Sequence, residues 1–330
     1  MARFVPLTRY SPGRYDAVRE RNMTEKKTVL RGITVSSLFL FGAWAGTSAA
    51  AQDLEKIQIR PVRIAENYHV LMGAGGNVSV LTGPDGILLV DDGVAQLIEK
   101  VRAEVAKLGA GPVRFVLNTN WHYDHVDGNE RLAKEGALII AHANSRKRML
   151  AEQRIPELDP NFRLQPYPEA ALPKITVDEV MGLHVNGEDI RIEHIAGAHS
   201  EGDLIFHFPK ADVIHAGDIF FSDGYPFIHI SGGGSVGGMI AAVDKILAMA
   251  GERTKIIPGH GLPSDRQGLK EYRDLLAAAR DRIAALVREG KTLDEIQKAD
   301  PLAGLYEKGT SSFPASEFLK LVFMDLTGKR

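Results

Sequence analysis

An apolar run, Val113–Leu117, is followed at once by Asn118-Thr119-Asn120-Trp121-His122-Tyr123-Asp124-His125, and Gly128 comes shortly after. The run reads as a buried strand. Two histidines and an aspartate so close together cannot all point one way from a helix or a strand. A loop can converge them, and loops at strand ends are where such polar groups gather. Three further candidates recur beside glycines downstream: His199 in Gly197-Ala198-His199-Ser200-Glu201-Gly202-Asp203, Asp218 in Ala216-Gly217-Asp218, and His260 in Pro258-Gly259-His260-Gly261. Each is expected in a loop after a strand. The chain has no cysteine, so disulfides, thiolate ligands and a cysteine nucleophile are absent together. Any metal site must then use His, Asp, Glu or Asn.

The periodicity around these segments alternates short apolar runs with amphipathic stretches. Tyr68–Leu71, Asn77–Leu81 and Ile87–Val90 read as strands, separated by the turns Gly73-Ala74-Gly75-Gly76 and Gly83-Pro84-Asp85-Gly86. Val94 to Leu108 places Leu97, Ile98, Val101, Val105 and Leu108 on one helical face, stopped by Gly109. Ala137–Ala141 reads as a strand and Ala143–Gln153 as a helix. The proline-rich stretch Arg154–Lys174 reads as a long surface excursion. Strands are expected at Glu188–His194, Leu204–Phe208, Val213–Ala216 and Lys255–Ile257, and helices at Val236–Ala250 and Arg266–Glu289. The C-terminal tail reads as two short helices. Strand clusters broken by helices in both halves suggest two sheets covered by helices.

The N-terminal stretch reads as an address. Lys26, Lys27 and Arg31 precede an apolar run from Ile33 to Trp44 and then Thr47-Ser48-Ala49-Ala50-Ala51-Gln52. These are the three parts of a secretory signal. Residues 1–51 are therefore expected to be removed, with Met23 a candidate start, leaving one domain over 52–330 in an exported, periplasmic protein. The apolar run is short against the roughly 20 residues a membrane helix needs, so no stable membrane insertion is expected after processing. Lys plus Arg total 40 against 42 acidic residues. With no basic block in the mature chain, nucleic acid is not an expected partner.

Taken together, the histidine and aspartate segments resemble the metallo-β-lactamase-fold hydrolases, whose signature is H-x-H-x-D-H followed by distant His, Asp and His. The resemblance runs from about Val62 to Pro263, with each match in order and beside its glycine. It implies an α/β fold, a four-layer αβ/βα sandwich, with two metals in the cleft between the sheet edges. It places His122 and His199 at a first metal, Asp124, His125 and His260 at a second, and Asp218 as the bridging carboxylate. Asp91, after the strand Ile87–Val90, corresponds to an aspartate supporting the metal loop. Asn120 stands where the family has its first histidine, so a weak or water-mediated metal contact is expected there. One tight zinc and a weaker second follow, with iron or manganese compatible with the same donors.

The chemistry implied is attack of a metal-activated water on a small ester, lactone or amide, β-lactams included, with Asp124 as the catalytic group that orients the water. No nucleophile elbow competes. No lysine follows Asp218 closely to hold a β-lactam carboxylate. Alternatives are a periplasmic metal-binding protein with a decayed first site and a phosphodiesterase of the same fold. Of the eleven histidines, His69, His142, His184, His194, His207 and His215 read as structural. His229, after Tyr225-Pro226-Phe227, is a candidate substrate contact, and Trp121 and Tyr123 are expected to wall the site. Gly232-Gly233-Gly234-Ser235 lacks the lysine of a phosphate loop and reads as a rim or helix entry.

Overall fold

Ile87, Leu88, Leu89 and Val90 are all buried, yet they face two ways. Leu88 and Val90 join an apolar layer between two sheets, whereas Ile87 and Leu89 lie under helices. This is the period-two alternation of a strand buried on both faces. The computed structural model describes Leu54, residues 56–306 and residues 313–329; the signal-like segment lies outside the described residues.

The first sheet contains β1 (Arg60–Arg63), β2 (Tyr68–Met72), β3 (Val78–Leu81), β4 (Ile87–Val90), β5 (Val113–Leu117) and β6 (Leu138–His142). A separate hairpin follows, β7 (Gln153–Arg154) with β8 (Arg163–Leu164), before β9 (Ile175–Val177) closes the first sheet in the order β1-β2-β3-β4-β5-β6-β9. The second sheet runs in sequence through β10 (Val180–Val185), β11 (Glu188–His194), β12 (Leu204–Phe208), β13 (Val213–Phe221), β14 (Lys255–His260) and β15 (Ser264–Asp265). Between the sheets, Tyr68, Leu117 and Ile140 meet Ile192, Phe206 and Ile257.

Helices cover both outer faces. On the first sheet lie α1 (Ile98–Leu108), α2 (Tyr123–Val126), α3 (Asn129–Lys134) and α4 (Ala143–Met149), with Ile98, Val101 and Val105 of α1 buried at helical spacing. Against the second lie α5 (Val236–Met249), α6 (Arg266–Arg288), α7 (Leu293–Ala299) and α8 (Ala315–Thr327), whose buried residues form one cluster with β13. The four layers are those of the expected αβ/βα sandwich. No helix among the described residues is long and apolar enough to cross a membrane.

Four expectations are corrected. The helix expected to reach Gln153 stops at Met149, because the Gln153 side-chain amide donates to the carbonyls of Ala151 and Arg148 and the chain turns into β7. The proline-rich stretch is not merely superficial: Ile155, Glu157, Ala171 and Leu172 are buried. Asp218 lies inside β13, which continues past a register irregularity at Gly217, and His260 is the last residue of β14.

Parallel pairing positions the site. Val90 of β4 pairs with Leu117 of β5, and β13 runs parallel to β14 with Phe221 opposite His260. Parallel strands end together at one edge, so Asp91 emerges beside the loop that follows Leu117. The edges are tied across the sandwich by Asn77, whose amide donates to the carbonyls of Pro258 and Gly261, both at 2.9 Å, and by the Leu204 N–H on the Thr119 carbonyl at 2.7 Å.

Candidate metal centre

Asp91 organises the loop after β5. Its carboxylate, fully buried, accepts from the Thr119 N–H at 2.7 Å, from the Thr119 hydroxyl at 2.8 Å and from His125 Nδ1 at 2.8 Å. The third contact fixes the His125 ring so that Nε2 faces away from Asp91, 3.1 Å from Asp218 Oδ2. Asp92 works alongside: its carboxylate accepts from the Gly128 N–H at 2.8 Å, and its N–H donates to the His125 carbonyl. Asp203 plays the corresponding part for His199. It approaches His199 Nδ1 at 3.4 Å and is itself held by the Ser200 N–H at 2.7 Å and by the Ser200 hydroxyl.

Two groups of donors result. His122, His199 and Asp218 form one, and Asp124, His125 and His260 the other, with the ligand atoms of each group within 4.8 Å of one another. Asp218 stands between them: Oδ2 lies 3.6 Å from His199 Nε2 and 3.1 Å from His125 Nε2, while Oδ1 lies 3.4 Å from His260 Nε2. Asp124 Oδ2 is 3.3 Å from His260 Nε2. Gly259 permits this approach, since a Cβ there would overlap Asp218 Oδ1.

The electrostatics suit a cation. Burial alone would raise the Asp218 carboxyl, but His125, His199 and His260 together hold it well below the carboxylate range. Burial likewise opposes ionisation of Asp124, yet His125 and His260 outweigh it and hold the group at about 2. Burial works against charge on His125 and His260 too, and Asp218 and Asp124 raise both all the same. His122 is depressed to about 3 by burial and then by His199. The carboxylates that raise His125 and His260 are the anionic oxygen donors a divalent cation requires. Moreover, His125 Nε2, His199 Nε2 and Asp218 Oδ1 are buried without an aligned hydrogen-bond partner. A buried polar atom left so costs about 1–3 kcal/mol, and three converging on one place mark where a metal fits. Imidazole nitrogens with carboxylate oxygens suit zinc, and also manganese or iron.

Two expected contacts fall elsewhere. Asn120 does not offer its amide oxygen to the cluster: Oδ1 accepts from the His122 N–H at 2.7 Å and Nδ2 donates to Asp218 Oδ2 at 3.0 Å. A backbone N–H needs an acceptor and a carboxylate needs a donor, so only this amide orientation satisfies both. His229 is not at the cleft surface. It is 1% exposed, behind His122, with its Nδ1 2.9 Å from His122 Nε2.

The cleft has about 380 Å³ of open space; His122, Asp124, His199, Asp218 and His260 form its floor. Its walls are Tyr123, Ile155, Leu158, Phe221 and Phe227. Tyr123 thus walls the site, whereas Trp121, 1% exposed, packs beneath it with Val126 and Met149. Asn77, Asp92, Asp203, Ile155, Leu158, Phe221 and Phe227 were not singled out by residue type. Asp203 stood in the His199 segment and Phe227 beside His229, but nothing local marked Asn77 or Ile155.

The model of the metallo-beta-lactamase superfamily matches residues 72–282. A hydroxyacylglutathione hydrolase of Pelagibacter ubique is 32% identical over 149 residues, covering 45% of this chain and 52% of that protein. The same enzyme of Rhodospirillum rubrum is 28% identical over 165 residues, covering 50% and 54%. The chain thus spans about half the length of these relatives. Among solved structures, the inverting sec-alkylsulfatase Pisa1 from Pseudomonas sp. superposes with a TM-score of 0.64 at 16% identity, over 82% of this chain and 51% of that one. The metallo-beta-lactamase DIM-1 superposes with a TM-score of 0.54 at 18% identity, over 67% and 98%. These likenesses show the fold. By its sequence match and its four-layer architecture, the chain belongs to the metallo-beta-lactamase superfamily.

Proposed function

We propose that this protein is a metal-dependent hydrolase, with zinc as its metal, acting on a small ester, thioester, lactone or amide that carries an apolar acyl group. The observation that carries this reading is the placing of two His/Asp donor groups on the floor of a cleft with apolar walls, with Asp218 of the first lying 3.1 Å from His125 and 3.4 Å from His260 of the second. The family membership and the hydrolase relatives support the reaction class. A divalent cation held there supplies Lewis acidity, drawing the pKa of a water towards neutrality and polarising a carbonyl. Asp218, between the two groups, would serve as a donor to either, while His125 and His199 are oriented from behind by Asp91 and Asp203. Asp124, partly exposed and low in pKa, stays ionised and can accept a hydrogen bond from a water at the cleft floor. The Tyr123, Ile155, Leu158, Phe221 and Phe227 walls exclude bulk water from an apolar acyl chain. No lysine or arginine lines the cleft among the described residues, which argues against a dedicated binder of β-lactam carboxylates, of phosphodiesters or of a glutathione moiety. We infer unequal metal affinity as well, because the first group has two imidazoles and only a shared carboxylate.

A panel of p-nitrophenyl esters, thioesters, lactones and β-lactams, run with zinc-loaded and chelated protein, tests the reading. Hydrolysis that rises with acyl length and stops on chelation is expected. Tight zinc without turnover of any member would favour the metal-binding alternative. We further propose export to the periplasm, supported by the charged, apolar and small-residue regions over 26–52. Sequencing the N-terminus of cellular protein tests it, and an intact 23–51 segment on soluble protein would refute it.

A further inference from the structure

Two features of the chain are unused by the hydrolase reading: His229, buried with one ring nitrogen unpartnered, and the triple glycine that follows it. The structure brings them together behind the first metal group. His229 Nδ1 lies 2.9 Å from His122 Nε2, and the two rings stand 5.0 Å apart between Trp121 and Phe227. The loop is stitched to the His199 segment: the His229 N–H donates to the His199 carbonyl at 3.0 Å, the Glu201 N–H to the Gly232 carbonyl at 2.8 Å, and the Ser235 N–H to the Ala198 carbonyl at 3.0 Å. A Cβ on Gly232 would collide with the His229 ring, and one on Gly234 with the His199 carbonyl oxygen. Ser235 then caps α5, accepting from the Gly238 N–H at 2.9 Å. The glycines are therefore small because the His229 ring crowds Gly232, the Glu201 Cβ crowds Gly233 at its positive φ of 89°, and the backbone of Ala198 and His199 crowds Gly234.

We propose that His229 is a positioning residue for the first metal group, accepting the Nε2–H of His122 and so holding that ring with Nδ1 as its metal-binding nitrogen. The chemistry is a matter of tautomers. A neutral imidazole has one N–H and one lone pair, and the hydrogen bond made by the nitrogen away from the metal decides which is which. With Nε2 engaged by His229, Nδ1 of His122 is the nitrogen available to a cation. Accepting at Nδ1 puts the His229 proton on its own Nε2. Carboxylates or carbonyls commonly fill this role, as Asp91 does for His125 and Asp203 for His199; for His122 the acceptor is a neutral ring. The Gly232–Gly234 loop is what brings that ring close enough.

The inference rests on the metal reading, and its test separates the two. The full-length chain would be titrated with Zn²⁺ against a chromophoric chelator, comparing the wild type with His229→Leu and His229→Asn. Leucine fills the space without an acceptor, whereas asparagine places Oδ1 where the histidine has Nδ1. The leucine variant is expected to lose about 10–100-fold in affinity at one site, the range for removing such a partner, while the other site is unchanged. The asparagine variant is expected to recover most of that loss. Long-range ¹H–¹⁵N spectra of the imidazoles in zinc-loaded wild type should show His122 protonated at Nε2 and bare at Nδ1, a readout that needs no variant to fold. Wild-type zinc affinity at both sites in the leucine variant, equal losses in leucine and asparagine, or the opposite His122 tautomer would each overturn the proposal. Failure of the wild type to bind zinc at all would instead remove the metal reading beneath it.

Discussion

Replacing Asp91 by asparagine exchanges one oxygen for an NH₂ group and leaves the volume of a fully buried side chain intact, yet it should disable one metal group selectively. In the wild type the carboxylate accepts three hydrogen bonds, two from Thr119 and one from His125 Nδ1. Asparagine keeps an oxygen for the Thr119 N–H, and the Thr119 hydroxyl can rotate to accept. His125 has no such freedom, because an amide N–H now faces its Nδ1–H. The ring relieves this by moving its proton to Nε2, which turns a donor towards Asp218 where a lone pair is needed. Loss of such a partner costs 10–100-fold in metal affinity, or about 1.4–2.7 kcal/mol. The metal-free protein should lose about 1.5–3 kcal/mol, the net value of one hydrogen bond to a charged group. Asp91→Ala is harsher: up to three buried donors lose their acceptor at about 1–3 kcal/mol each, and alanine must occupy a positive φ of 61°. A loss of about 3–9 kcal/mol would consume much of a typical domain's 5–15 kcal/mol. Urea unfolding of the metal-free proteins measures the first quantity and chelator competition the second. If Asp91→Asn holds both zincs as tightly as the wild type, or loses the zinc bound by His122 and His199 instead, the reasoning is wrong.

Three further outcomes are expected. Asp124→Ala and His260→Ala should each lose the metal of the second group together with turnover, measurable by metal analysis after dialysis, since removing one ligand weakens the remainder. Asn120→Ala removes the acceptor of the His122 N–H and a donor to Asp218; the metal-free protein should be less stable by about 1–3 kcal/mol in urea, and zinc at the first group should loosen. Unchanged stability and stoichiometry there would show that the amide bridge does nothing. Gly259→Ala should reduce metal at both groups because its methyl would displace the shared Asp218, whereas Gly237→Ala, in α5 with open space around its Cβ, should be neutral or stabilising by about 0.5–1 kcal/mol in the same assay.

The strands could be read locally because their residues alternate between two buried faces, as Ile87–Val90 do, and the helices because Ile98, Val101 and Val105 recur at helical spacing. Boundaries were less legible: β13 runs on to Phe221 because its parallel partner β14 continues beside it, which no window around Asp218 reveals.

Residue type and local order suggested two sheets covered by helices and drew attention to the segments holding His122, Asp124, His125, His199, Asp218 and His260, because metal chemistry needs particular donors and close glycines leave a short-range mark; the resemblance those segments carry supplied the four-layer sandwich and the grouping of the ligands. What those donors do to one another was decided only in three dimensions. The Asn120 amide looks like a poor ligand until Asp218, 98 residues away, appears at its nitrogen. His229 looks like a cleft residue until His122, 107 residues away, stands in front of it. Ile155 and Leu158 look like surface until the hairpin that carries them folds over the cleft. The physical reason is the directionality of hydrogen bonds and of imidazole tautomers: a side chain's composition says what it can donate or accept, and only its tertiary neighbours decide which end is used.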